Sequence, residues 1–129
     1  MLPFRVDFKG GEPLHRQAVY AVKKAVVTGR LLPGDAFPSV RSLSQELRIN
    51  PNTAHRIVAS LVEEGLLEVV PGVGTRVANT PPSGRKDYLE LLNDELERVV
   101  VQARSLSLDL EDLFEAIRVQ WDLLNRGPK

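Results

Sequence analysis

A chain of 129 residues with 43% hydrophobic content is long enough for one domain with an appendage and apolar enough for a compact core. With no cysteine it forms neither a disulfide framework nor a thiolate zinc site, and no apolar run reaches the length of a membrane span, so a cytoplasmic protein with no membrane partner is expected. Its 17 Lys and Arg balance 17 Asp and Glu unevenly: residues 1–78 hold ten against seven, a net +3, and residues 79–129 hold seven against ten, a net −3.

In chain order, Phe4-Arg5-Val6-Asp7-Phe8 alternates apolar and polar, which suits either a short strand or an extended arm ended by Gly10-Gly11. From Pro13 the pattern turns helical, with Leu14, Ala18, Ala21, Val22, Ala25 and Val26 on one face and Gly29 as the stop. Leu31-Leu32-Pro33-Gly34-Asp35 reads as a turn, and Ala36-Phe37 leaves room for only a very short strand before Pro38.

Residues 38–58 read as two short helices around a tight turn. Val40, Leu43 and Leu47 give the first a single apolar stripe and leave Arg41, Ser42 and Gln45 outward. Arg48-Ile49 forms the turn. Asn50 can cap the next helix, and Pro51 suits its first position, where no donor is needed. Ala54, Ile57, Val58 and Leu61 face inward, so Asn52, Thr53, His55 and Arg56 stand at or near the exposed N-terminal end. A recognition helix carries its base-reading groups there. Arg56 has an alternative in an ion pair with Glu63 or another acid.

The helix stops near Glu64-Gly65. Residues 66–70 and 75–78 then read as strands joined by Pro71-Gly72-Val73-Gly74, a two-stranded wing whose glycines allow close approach to a phosphate or the minor groove, with Thr75 or Arg76 as donors. The plain alternative for Gly-x-Gly is a hairpin turn and nothing more.

Residues 79–84 are a polar Pro/Gly linker. Beyond it Leu89, Leu92, Leu96, Val99 and Ala103 step by three and four along a helical seam. Residues 105–108 break the pattern, and Asp109 can cap a last helix with the stripe Leu110, Leu113, Phe114, Ile117, Trp121 and Leu124, ending near Arg126-Gly127-Pro128. Two such helices alone leave apolar surface wet, and two-fold self-association covers it with one patch used twice. The expected dimerisation residues are Leu89, Leu92, Leu96, Val99, Leu113, Ile117, Trp121 and Leu124. Trp121 anchors that interface or, alternatively, borders a small-molecule pocket.

No nucleophile–base arrangement and no phosphate-binding loop are present, so an enzyme and a cofactor are not expected. His15 and His55 lack carboxylates at ligand spacing, which argues against a metal site. The acidic runs Glu95-Leu96-Glu97 and Glu111-Asp112 read as solvated helix faces. The expected fold class is therefore mostly α with a small β wing (α+β): a winged helix-turn-helix domain at residues 1–78, a linker at 79–84 and a helical dimerisation tail at 85–129.

A series of motifs carries a family resemblance. Pro13-Leu14-His15-Arg16-Gln17, Gly29-Arg30-Leu31-Leu32-Pro33-Gly34-Asp35, Pro38-Ser39-Val40-Arg41, Asn50-Pro51-Asn52-Thr53, Glu63-Glu64-Gly65-Leu66-Leu67 and Gly72-Val73-Gly74-Thr75 follow one another as in GntR-type bacterial transcriptional regulators, which the chain resembles over residues 13–78. Its tail looks like the two-helix dimerisation tail of the YtrA-like subfamily, whose Asn-Pro-Asn-Thr also appears here. The resemblance implies a homodimer that binds a palindrome-like operator in double-stranded DNA and usually represses. It implies DNA contacts at Arg41 at the start of the second helix, at Asn52, Thr53, His55 and Arg56 on the recognition helix, and at Gly74 in the wing; Ser39 and Thr75 beside them are further candidate DNA-binding residues. His55 departs from the pattern, since many relatives carry Arg or a small residue there. The resemblance also suggests genes for ABC-type transporters as targets. An unidentified small-molecule effector is admitted as a further partner, acting through the linker. The alternative reading, favoured by zero net charge, is a winged-helix module for protein contacts without specific DNA binding.

Overall fold

The computed structural model describes residues 2–79 and 85–125. The chain divides into two compact units, one holding three helices and a β hairpin, the other two further helices. In chain order these are α1 (Leu14–Val27), α2 (Val40–Leu47), α3 (Pro51–Glu63), β1 (Leu67–Val70), β2 (Gly74–Val77), α4 (Arg85–Ser105) and α5 (Leu110–Asn125). Among the described residues this is a mostly helical chain with one small antiparallel sheet, as the periodicities lead one to expect.

The first unit is built on α3. Its Ala54, Ile57 and Leu61, at helical spacing, are completely buried, and α1, α2 and β1 all pack against this helix. Ala18, Val22 and Ala25 of α1 and Leu43 of α2 meet it, and the small alanines allow close approach of the helix axes. Leu67 and Val77, opposite one another in the hairpin, join Leu31 and Phe37 to complete the core. Burial of each large side chain contributes about 1.5–3 kcal/mol. By contrast, the Lys23–Glu64 ion pair at 2.5 Å joins α1 to the end of α3 with both side chains 43% exposed, and adds at most about 1 kcal/mol. Apolar burial therefore dominates the stability of this unit.

The turns are fixed by specific groups. α1 and α3 end on glycines in the left-handed region, Gly29 and Gly65, with Arg30 and Leu66 N–H donating back to the carbonyls of Ala25 and Leu61. Two other helix ends use a residue that strains there, Arg48 after α2 (φ +55°) and Ser107 after α4 (φ +59°). At the first of these, Ser44 holds Ile49 twice: its carbonyl accepts the Ile49 N–H at 3.1 Å and its hydroxyl donates to the Ile49 carbonyl at 2.9 Å. That double contact ties the turn between α2 and α3 to the last helical turn of α2.

Of the two readings of the N-terminal segment, the extended arm is correct and no strand forms. Phe4 is buried and its ring stacks on Phe37, centroids 5.7 Å apart and planes within 5°. The Gln17 amide grips the same arm, accepting from Lys9 N–H and donating to the Lys9 and Glu12 carbonyls at 2.7–2.8 Å. The very short strand expected at Ala36-Phe37 is a single bridge to Arg76, flanked by Val77 N–H to the Asp35 carbonyl and Phe37 N–H to the Thr75 carbonyl, both 2.8 Å.

In the second unit the α4–α5 turn closes through Leu108 N–H donating to the Ala103 carbonyl at 3.0 Å. Asp109 caps α5 by accepting from Asp112 N–H, and Asp112 accepts from Asp109 N–H in return. Asp112, expected only as part of a solvated face, thus holds a helix end. Most of the linker, residues 80–84, and the expected stop at residues 126–128 lie outside the described residues.

Candidate nucleic-acid interface

Two capped helix starts present the polar groups of the first unit. At α2, the Ser39 hydroxyl accepts from Ser42 N–H at 3.1 Å and donates to the Ser42 hydroxyl at 3.2 Å. The helix start is satisfied by the protein itself, and Arg41, at its second position, is exposed. At α3, the Asn50 side chain accepts from Asn52 N–H at 2.8 Å and Pro51 takes the first position, so this helix begins where its caps foretell.

Down α3, Asn52, His55, Arg56 and Ala59 are exposed at three- and four-residue spacing, one outward row opposite the buried Ala54, Ile57 and Leu61. Neither Arg41 nor Arg56 makes an ion pair among the described residues, so the Glu63 alternative for Arg56 is not realised. Thr53, one position round from the row, is half-buried. The row offers an amide, an imidazole and a guanidinium, groups that pair with base edges and phosphates. The small Ala59 keeps its far end low.

The hairpin carries the remaining expected positions. Gly74 is exposed with φ +127°, and Thr75 is half-buried, its carbonyl accepting from Phe37. Arg76, considered as a donor, is instead paired with Glu68 directly across the sheet, Nε to Oε1 at 2.9 Å. Sequence reading missed this pair because it depends on the strand register. The Gln17 grip on the arm had no sequence signal at all.

In the second unit the seam is open. Leu89, Leu92, Leu96, Val99, Ile117 and Trp121 are exposed, Trp121 at 68%, and Leu113 and Leu124 are half-buried; Ala103 is the one seam residue that is buried. No described helix is long and apolar enough to cross a membrane, and no cluster of potential metal ligands occurs among the described residues.

The family model for bacterial regulatory proteins of the gntR family matches residues 14–77, from the first residue of α1 to the end of β2. The HTH-type transcriptional repressor YtrA of Bacillus subtilis (strain 168) is 28% identical over 115 residues, 88% of this chain and 88% of that protein. The HTH-type transcriptional regulator YhcF of the same organism is 31% identical over 112 residues, 87% of this chain and 93% of that one. Among solved structures, AraR(DBD) in complex with operator ORX1 superposes with a TM-score of 0.52 at 29% identity, covering 57% of this chain and 95% of that chain. The likeness to YtrA and YhcF thus runs through both units, and the chain belongs to the GntR family of bacterial regulatory proteins, in its YtrA-like branch, as a transcription regulator with a DNA-binding helix-turn-helix domain and not an enzyme.

Proposed function

We propose that the protein is a cytoplasmic repressor that binds a palindrome-like operator as a homodimer, residues 1–78 reading DNA and residues 85–129 joining the two copies. The observation that carries the reading is the outward row Asn52, His55 and Arg56 on α3, whose side chains have no hydrogen-bond or ion-pair partner among the described residues. Such groups at the start of a helix held by its own caps are free to meet base edges and phosphates. Arg41 supplies a phosphate or guanine contact at the start of α2, Thr53 a phosphate contact, and Gly74 and Thr75 the approach of the wing. Ser39 acts chiefly through the cap that presents Arg41.

The exposed seam of α4 and α5 supports the dimer, since a two-fold partner covers the same patch on both copies. Repression is supported by the name of the YtrA relative, and operator DNA by the AraR complex. Selection of bound duplex from a random pool tests the whole reading. Two inverted half-sites at fixed spacing are expected, bound at least about a thousandfold more tightly than random duplex at physiological salt. No preference for any sequence across a salt titration would refute it and return the protein-contact module to favour.

A further inference from the structure

Every feature of the wing that bears charge cancels. Within residues 66–78 Arg76 is the single cation and Glu68 the single anion. The strand register sets them directly opposite, and their side chains meet at 2.9 Å, each 40% exposed. Their face of the hairpin is the one turned away from the core, because Leu67 and Val77, the neighbouring cross-strand pair, are buried on the other.

The tip is apolar as well as neutral. Val73 N–H donates to the Val70 carbonyl at 3.0 Å across Pro71-Gly72, and Gly72 (φ +76°) takes the third turn position, which demands a glycine. Val73 is 81% exposed, the most exposed large hydrophobic residue described. It stands between Gly72 and Gly74, which add no side-chain width. A single exposed valine is ordinary on a protein surface. Here it lies in the turn of a hydrogen-bonded ribbon, flanked by glycines that leave little side-chain bulk beside it on entry to a groove about 6 Å wide.

Resting on the DNA-binding reading above, we propose that the wing engages the minor groove as a neutral, apolar finger: Val73 makes the contact, and Glu68 withholds Arg76 from the phosphates. The reason is electrostatic. An Arg76 that swung to a phosphate would leave the Glu68 carboxylate bare beside the same backbone, so the charge gained is repelled away again. The salt-dependent part of binding then belongs to the helices, through residues such as Arg41 and Arg56. The wing adds a share that salt does not touch, because side-chain contact with sugar walls and base edges displaces no counterions.

The experiment is the dependence of operator affinity on salt, measured on the full-length protein with the duplex returned by selection. Val73→Ala removes two methyl groups from the contact and is expected to weaken binding about tenfold with the salt slope unchanged. Glu68→Gln releases Arg76, and Val73→Lys adds a cation; each should steepen the slope by about 0.9. Glu68→Gln with Arg76→Gln together, which removes the cation without baring the carboxylate, should leave the slope at its wild-type value. Thermal unfolding of each variant confirms that the hairpin survives, and the double variant keeps the comparison sound if one single variant folds poorly. A slope that flattens by about 0.9 in the Glu68→Gln, Arg76→Gln double variant, or wild-type affinity in Val73→Ala, overturns the proposal while leaving the operator reading intact. A wild type that prefers no duplex overturns both.

Discussion

Arg56 and His55 stand side by side on α3 yet are expected to answer different experiments. Arg56→Ala should weaken operator and random duplex together and lower the salt slope by about 0.9, since a phosphate contact carries no sequence information. His55→Arg should instead change which base is preferred at one half-site position, by about 1–3 kcal/mol, read by repeating the selection with the variant. If both substitutions act alike, the division of labour is wrong. At this scale the caps were the most legible feature: Asn50 and Pro51 announce α3 because only a few residue types satisfy free N–H groups, and both sit where expected. The pairing of Arg76 was illegible, because a side chain eight residues away in the chain is a neighbour only once Leu67 has been registered against Val77.

Among the elements, the three helices of the first unit and the hairpin are readable from periodicity because each buries one face. Where α1 and α3 stop is readable too, since Gly29 and Gly65 adopt a conformation that other residues resist. The ends of α2 and α4 also fall where the periodicity breaks, at Leu47 and Ser105, though no glycine marks them. Arg48 and Ser107 occupy that same left-handed region without being glycine, held there by the hydrogen bonds that close the following turn. Ser107→Gly is therefore expected to raise the unfolding free energy by about 0.5–1 kcal/mol in denaturant melts. Gln102→Gly, inside α4, should lower it by about 1 kcal/mol. An equal loss from both would mean that Ser107 bears no strain. The arm resisted sequence reading for another reason: alternating residues fit a strand, and only the Gln17 amide, which replaces a neighbouring strand's N–H and C=O groups, decides for the extended form.

For the molecule as a whole, the charge division and the open seam point the same way. The unit with the outward polar row carries the positive balance, and the acidic unit carries the exposed apolar stripe that the proposed dimer would cover. Leu96→Asp with Ile117→Asp should convert a dimer into a monomer in sedimentation equilibrium at micromolar concentration. Operator affinity should then fall by about 10²–10⁴-fold, because the second half-site loses its effective concentration, while the circular dichroism of the first unit is retained. A wild type that sediments as a monomer with its tail intact would contradict this reading. The stacking of Phe4 on Phe37 and the burial of Val77 in the same core have a consequence for synthesis on the ribosome. Members of one core lie at both ends of the first unit, so a nascent chain cannot complete it until the second strand of the hairpin has left the exit tunnel. Chains arrested just before β2 emerges should be cut readily by protease at Arg5 and Lys9, and chains released past it should resist. The arm, made before the rest of this unit, is then expected to be among its last parts to be protected.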